Sequence, residues 1–201
     1  SNKVVRHLHI PLQSGSDTVL KRMRRKYTMS HFSERLKKLH AIMPGLAVTS
    51  DVIVGFPGET EEEFQETYDF ILQHGFSELH VFPYSMRTGT PAARMTDQID
   101  DSIKNDRVHR LITLSDQLAK EYASRFEGDV LEVIPEEKAS NGNMLVGYTD
   151  NYLKVQFEAD EHLIGELVKV KIDKSGYPLN EGTFVTVIPN AYKKSEMQMH
   201  S

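Results

Sequence analysis

Two periods of hydrophobic and polar positions divide the chain: helical spacing mixed with short apolar runs up to about residue 126, and strict alternation after Gly128. Residues 4–10 predict a strand with His7 and His9 on one face and Leu8 and Ile10 on the other, ending in a polar loop at residues 11–16. Ser16 or Asp17 is placed to cap a short helix through Met23, and residues 31–43 predict a second helix presenting Phe32, Leu36 and Leu39 before Pro44-Gly45 stops it. The most informative stretch is T-S-D-V-I-V-G-F-P-G-E-T at residues 49–60, a buried strand that turns into a capped helix. Asp51, Ile53 and Gly55 share one face of that strand and Val52 and Val54 the other, so one side packs while the other presents a carboxylate and bare backbone. Thr60 and Glu63 predict a capping box, and Phe64, Tyr68 and Ile71 repeat at helical spacing until Gly75. Residues 78–84 predict a third strand and residues 101–126 a long amphipathic helix with Leu111, Leu114 and Leu118 on its apolar side.

Strands that alternate with helices long enough for crossovers imply a parallel sheet built from right-handed βαβ units. Three such units are too few to close a barrel. Beyond Gly128, residues 130–134, 144–148, 153–157, 167–172 and 184–188 predict five short strands with turn residues between them, which suits a small OB-like β-barrel. The expected class is therefore α/β followed by a β-barrel, with residues 1–126 and 127–190 as the two domains and residues 191–201 as a disordered tail.

Composition narrows the function classes. With 201 residues, 39% hydrophobic and 26% charged, the chain has the balance of a water-soluble globular protein, and no apolar run approaches the length of a membrane span, so no membrane role is expected and a cytoplasmic setting is the default. There is no cysteine, which excludes disulfides, thiolate metal sites and cysteine nucleophiles within these residues. A net charge of −5 argues against a generic nucleic-acid binder, but Lys and Arg outnumber Asp and Glu over residues 1–60 and the balance reverses over residues 61–126. The chain opens directly on a strand pattern, which suggests a piece of a longer protein.

Several residues are candidates for chemistry, each with a plain structural alternative. His7 and His9 are either core histidines bonded to carbonyls or, in the case of His9, part of a site with the loop that follows. Asp51 either holds a ligand or is a structural carboxylate bonded to nearby amides. Gly55 and Gly58 remove the side chains that would keep a flat ring from the main chain at the end of a strand. Glu61, Glu62 and Glu63 serve the N-terminus of their helix, where negative charge is favoured. The run Lys21, Arg22, Arg24, Arg25 and Lys26 is either a solvated face or a phosphate-binding patch. In the second domain Lys169 and Lys171 project to one side of a strand, with Tyr152 and Lys154 as further members of a cation and aromatic mixture suited to RNA.

The sequence H-I-P-L-Q-S-G-S at residues 9–16, D-V-I-V-G-F-P-G-E-T at residues 51–60, F-P-Y-S-M-R-T-G-T-P-A at residues 82–92 and a C-terminal module similar to the RNA-binding TRAM domain together resemble the radical S-adenosylmethionine (SAM) methylthiotransferases. The segment V-G-Y-T-D-N-Y at residues 146–152 is most similar to the branch that acts on threonylcarbamoyladenosine in tRNA. The resemblance implies a partial barrel of six parallel βα units, of which this chain supplies the second half. It implies [4Fe-4S] clusters ligated by cysteines outside these residues, so the chain alone is expected to be inactive and to bind SAM weakly or not at all. It implies transfer of a methylthio group to C2 of the modified adenine next to the anticodon, after SAM is cleaved to a radical. It places His9, Gln13, Ser14, Asp51, Ile53, Gly55, Phe56, Phe82, Tyr84 and Ser85 around SAM, with Asp51 on a ribose hydroxyl or a cationic group. The basic residues Arg22, Arg24, Arg25 and Lys26 and the barrel residues Tyr152, Lys154, Lys169 and Lys171 are the expected tRNA contacts. Two other readings stand beside it, another radical SAM enzyme and a noncatalytic RNA-binding module. The open edge of a half-barrel also invites self-association.

Overall fold

The computed structural model describes residues 5–139, 142 and 144–189; the tail from residue 191 and most of the turn at residues 141–143 lie outside them. Arg6–Tyr122 forms one compact unit, and the described residues from Ala123 onward form another. Among the described residues no helix is long and apolar enough to cross a membrane.

The first unit is a three-stranded parallel sheet in the order β1-β2-β3, formed by β1 (His7–His9), β2 (Ala47–Val54) and β3 (Glu78–Pro83). Helices α1 (Asp17–Arg22), α2 (Met29–Ile42) and α3 (Glu61–His74) make the crossovers, and α4 (Asp101–Ser124) follows β3. As the central strand of a sheet covered on one face, β2 has Val52 and Val54 fully buried on that packed face, where they meet Leu12, Phe64 and Ile71 from the connections. Asp51 and Ile53 on the opposite face are only half-buried. The capping box is made in both directions between Thr60 and Glu63, and Gly75 closes α3 in the left-handed conformation.

Local departures from the expected elements have identifiable causes. Helix α2 begins at Met29, two residues early, because Asp17 Oδ1 accepts the Met29 N–H at 2.7 Å and the Thr28 hydroxyl accepts that of His31. These side chains satisfy two of the amides that a helix start leaves unpaired. Strand β1 is short because Pro11 interrupts its pairing. Leu12 N–H goes instead to the Ser50 hydroxyl at 2.9 Å, and Gln13, with φ of 66°, rejoins β2 by bonds to Asp51 O and from Ile53 N–H.

The second unit is a closed barrel in the order β4-β5-β6-β8-β7, made of β4 (Val130–Lys138), β5 (Met144–Thr149), β6 (Lys154–Glu158), β7 (Val168–Lys174) and β8 (Asn180–Val187). Strands β6 and β8 run parallel and all other pairs antiparallel, the arrangement expected of an OB-type barrel. Alternation is sharpest in β7, where Val168, Val170 and Ile172 are fully buried and Lys169 and Lys171 point out. Strand β4 runs past Pro135, where the sequence suggested it would stop, because a bulge between Pro135 and Glu137 absorbs the proline. Strand β8 begins at Asn180, well before Phe184. Its buried amide accepts Gly176 N–H and donates to Lys154 O, so a polar stretch becomes the strand that joins β6 to β7.

At the bulge, β5 crosses β4 so closely that a Cβ on Gly147 would lie 2.2 Å from Ile134 O. Gly147→Val is therefore expected to lose about 1–3 kcal/mol or more of barrel stability. Hydrogen exchange should show faster opening in β4 and β5, with protection in β2 unchanged.

Candidate functional site

At the C-terminal ends of β2 and β3 lies a cavity of about 640 Å³, within the range of small-molecule sites. Its floor is Ile53 and Phe82, register partners on the adjacent strands, with Phe82 half-exposed. One wall is Phe56 and Tyr84, whose rings meet edge to face at 5.3 Å. The Tyr84 hydroxyl is buried and has no hydrogen-bond partner among the described residues. Burying a hydroxyl unpaired is costly, and this one belongs to a residue of the cavity lining. Gln13, Ser85, Arg24, Arg25, Arg87 and Asp51 add polar groups around the opening. The Gln13 side-chain oxygen accepts a bond from Arg25 at 3.2 Å, which holds the amide in place. Side-chain-bearing residues pay for left-handed backbone, so the conformation of Gln13 marks a position that its surroundings over-determine.

Of the residues expected around a cofactor, Gln13, Asp51, Ile53, Phe56, Phe82, Tyr84 and Ser85 thus line one cavity. Three do not. Ser14 is fully buried and its hydroxyl meets that of Thr67 on α3 at 3.2 Å, while Gly15 N–H donates to the same threonine. The S-G-S loop therefore docks on a helix, and Ser14 lies outside the cavity lining. Gly55 also lies outside the lining: its N–H donates to the Glu59 carboxylate, and the Lys104 side chain occupies the space where its Cβ would be. With φ of 70°, Gly55 serves the turn itself. His9 lies on the sheet face outside the cavity lining, with Nε2 3.3 Å from Asp51 Oδ2 and Nδ1 3.1 Å from the Thr49 hydroxyl. His80 meets the other Asp51 oxygen at 3.2 Å, and the pattern gave no sign of it because the pairing is set only by the register of β2 with β3. Arg87, Pro91 and Met95, also on the lining, lie in and after the residue 82–92 motif, which was the available signal.

The basic run divides. Arg22 makes two bonds to the Glu63 carboxylate and one to Gly58 O, tying α1 to the start of α3, and it also borders the cavity. Arg22 and the hydroxyl of Thr18 hold the Glu63 carboxyl at about 2, far below its ordinary value. Arg24 and Arg25 border the cavity, and Lys26 is exposed beside them. Of the helix-start glutamates, Glu61 reaches α4 and pairs with Arg107 and Arg110 as well as serving its own helix. In the barrel, Tyr148 and Tyr152 stack at 5.2 Å, and Lys154 lies 5.9 Å from the Tyr148 ring. Lys154 is also 3.6 Å from Glu137. Lys169 and Lys171 stand on β7, and β8 lies between that strand and the β6 bearing Lys154, so the four expected contacts form two groups.

Residues 1–71 match the family model described as the Radical SAM superfamily, and residues 124–176 match the TRAM domain. Over 191 residues the chain is 71% identical to the threonylcarbamoyladenosine tRNA methylthiotransferase MtaB of Bacillus subtilis (strain 168), a match that covers 94% of this chain and 42% of that protein. It is 43% identical over 188 residues to the tRNA-2-methylthio-N(6)-dimethylallyladenosine synthase of Thermoanaerobacter sp. (strain X514), covering 93% of this chain and 40% of that protein. A solved structure, the radical SAM enzyme coproporphyrinogen III oxidase HemN from Escherichia coli, aligns over 83% of this chain and 41% of that one, at a TM-score of 0.49 and 16% identity. The chain spans about two fifths of the length of the curated relatives it matches.

Proposed function

We propose that the chain, whose residues 1–71 match the Radical SAM superfamily model and residues 124–176 the TRAM domain model, forms the adenosine-side wall of a SAM site, together with the tRNA-gripping module, of a tRNA methylthiotransferase. The substrate position is C2 of N6-threonylcarbamoyladenosine next to the anticodon, by analogy with the relative of highest quoted identity. The observation that carries this reading is the cavity: an apolar floor of Ile53 and Phe82 sized for a flat ring, beside a buried Tyr84 hydroxyl that lacks a partner.

Bound SAM would supply the hydrogen-abstracting chemistry. The residues of this chain would do the rest of the work at the adenosine end. Ile53 and Phe82 exclude water from one face of the base, and Tyr84 offers its hydroxyl as donor or acceptor to a ring nitrogen or amine. Gln13, fixed by Arg25, presents amide groups to the ribose or the substrate, and Asp51 accepts a hydrogen bond from a hydroxyl. An iron–sulfur cluster does not fit these 201 residues, which contain no thiolate to ligate one, so its ligands belong to residues outside them. At the tRNA, Arg24, Arg25 and Lys26 meet phosphates, and the Tyr148–Tyr152 stack with Lys154 offers an aromatic and cationic platform. The five-stranded barrel favours this reading over a radical SAM enzyme of another kind, and the cavity favours it over a purely RNA-binding module.

Titration of the chain with SAM, followed by NMR, tests the cavity. Millimolar binding with shifts at Ile53, Phe82 and Tyr84 and none at Ser14 is expected. Shifts confined to residues outside this lining overturn the assignment, and micromolar affinity overturns the placement of the methionine anchor elsewhere. For the tRNA arm, Tyr152→Ala is expected to weaken binding of an anticodon stem-loop about 5- to 100-fold, the range set by loss of one stacked base. Binding unchanged in that variant would remove the platform from the interface.

A further inference from the structure

We propose that His9, Asp51 and His80 form a binding site for a divalent cation of the Zn2+, Co2+ and Ni2+ class on the open face of the parallel sheet. The three residues come from three adjacent strands. Asp51 on β2 is the register partner of His80 on β3, and His9 on β1 is the partner of Thr49, two residues before Asp51 on the same face. One ligand atom from each lies within 4.8 Å of the others. His9 Nε2 is 3.3 Å from one Asp51 oxygen and His80 Nδ1 is 3.2 Å from the other, while the two imidazole rings stack at 5.5 Å.

The arrangement has the chemistry of a ligand set. Two imidazole nitrogens and a carboxylate oxygen suit borderline first-row cations, whose bonds to nitrogen and oxygen are about 2.0–2.2 Å long. Donor atoms about 3.3 Å apart are the spacing such bonds produce around one ion. Metal-bound imidazoles commonly use their second nitrogen to bond a supporting group, and His9 Nδ1 does so, meeting the Thr49 hydroxyl at 3.1 Å. That same hydroxyl meets His7 Nε2 at 3.0 Å, so the support is itself supported. Side-chain exposures of 38%, 31% and 46% for His9, Asp51 and His80 leave the ion's remaining coordination positions to water or an oxygen-bearing ligand. Asp51 also lines the cavity, so the cation would border its opening.

The experiment uses the metal-free 201-residue chain and the metal alone, so its failure leaves the SAM reading untouched. Titration with Co2+, read by visible absorption, and with Zn2+, read by calorimetry, should show a single saturable site. His9→Ala and His80→Ala should each weaken binding by about tenfold or more, since even supporting residues are worth about 10- to 100-fold. His162→Ala, a change in the barrel at a histidine that pairs with Asp160, should leave the site intact. Circular dichroism confirms that the variants fold, and NMR of the His9 and His80 ring protons should report the ion directly. Absence of saturable binding, or equal affinity in His80→Ala, overturns the proposal.

Discussion

Arg107→Ala is expected to cost the α/β unit about 3–5 kcal/mol, the penalty of breaking a buried ion pair from one side. The Arg107 and Glu59 side chains are only 4% and 1% exposed and are joined by a 2.8 Å bond. Arg107 also bonds Glu59 O, reaches Glu61 at 3.3 Å and lies 5.3 Å from the Phe64 ring. Burial pushes the Glu59 carboxyl up, against the opposing pull of Gly55 N–H and Arg107. Without the guanidinium the carboxylate keeps its burial and loses its charged partner. The damage would centre on the turn from Gly55 to Glu59, which links the cavity strand β2 to α3. Chemical denaturation of the single variants and of Glu59→Gln with Arg107→Met provides the check. The double variant removes both charges and should recover much of the loss. A single-variant cost below about 1 kcal/mol would show that the carboxylate finds water, and the buried-pair account would fail.

Acid is expected to weaken the same unit through Glu63. Its carboxyl falls from an ordinary 4.5 to about 2, first because Arg22 bonds it and then because Thr18 and the Thr60 N–H add further bonds. A folded-state value below the unfolded one means that the unfolded chain takes up a proton first as pH drops. The contribution is therefore whole above about 4.5 and is lost progressively toward 2. Allowing for solvent at the 30%-exposed Arg22, it is about 2–3 kcal/mol at neutral pH. Glu59 acts with the opposite sign: its raised value means stability given up as pH rises above its ordinary 4.5. Glu63→Gln separates the two. The stability gap between wild type and this variant should be widest at neutral pH and close between pH 5 and 2; a gap that does not change with pH would refute the assignment.

The fold was largely legible because its signals are local. Alternation marked the barrel strands, helical spacing marked Phe64 and Ile71, and the Thr60–Glu63 pair announced the start of α3 in four residues. The missed features depend on partners far along the chain. Arg22 looked like a surface cation until Glu63 was beside it, and Ser14 looked like a ligand-binding hydroxyl until Thr67 met it. Gly55 was read as leaving room for a flat ring, and the space it spares is taken by Lys104 from α4. Arg107 lay on the polar side of a helix whose apolar side was the only one read, although that polar side carries the buried ion pair. His80 pairs with Asp51 because of strand register, which local periodicity does not encode. The cavity residues Ile53, Phe56, Phe82 and Tyr84 were found through the motifs that contain them.

The pairing of β4 with β7 completes a ring in which every strand has a neighbour on both sides. Such a ring has no row of unmated amides onto which a visiting polypeptide might zip as an extra strand. The barrel must therefore converse with its targets through side chains and loop tips alone. Any annexation of a foreign strand falls to the parallel sheet, whose outer members β1 and β3 each have one mate among the described residues.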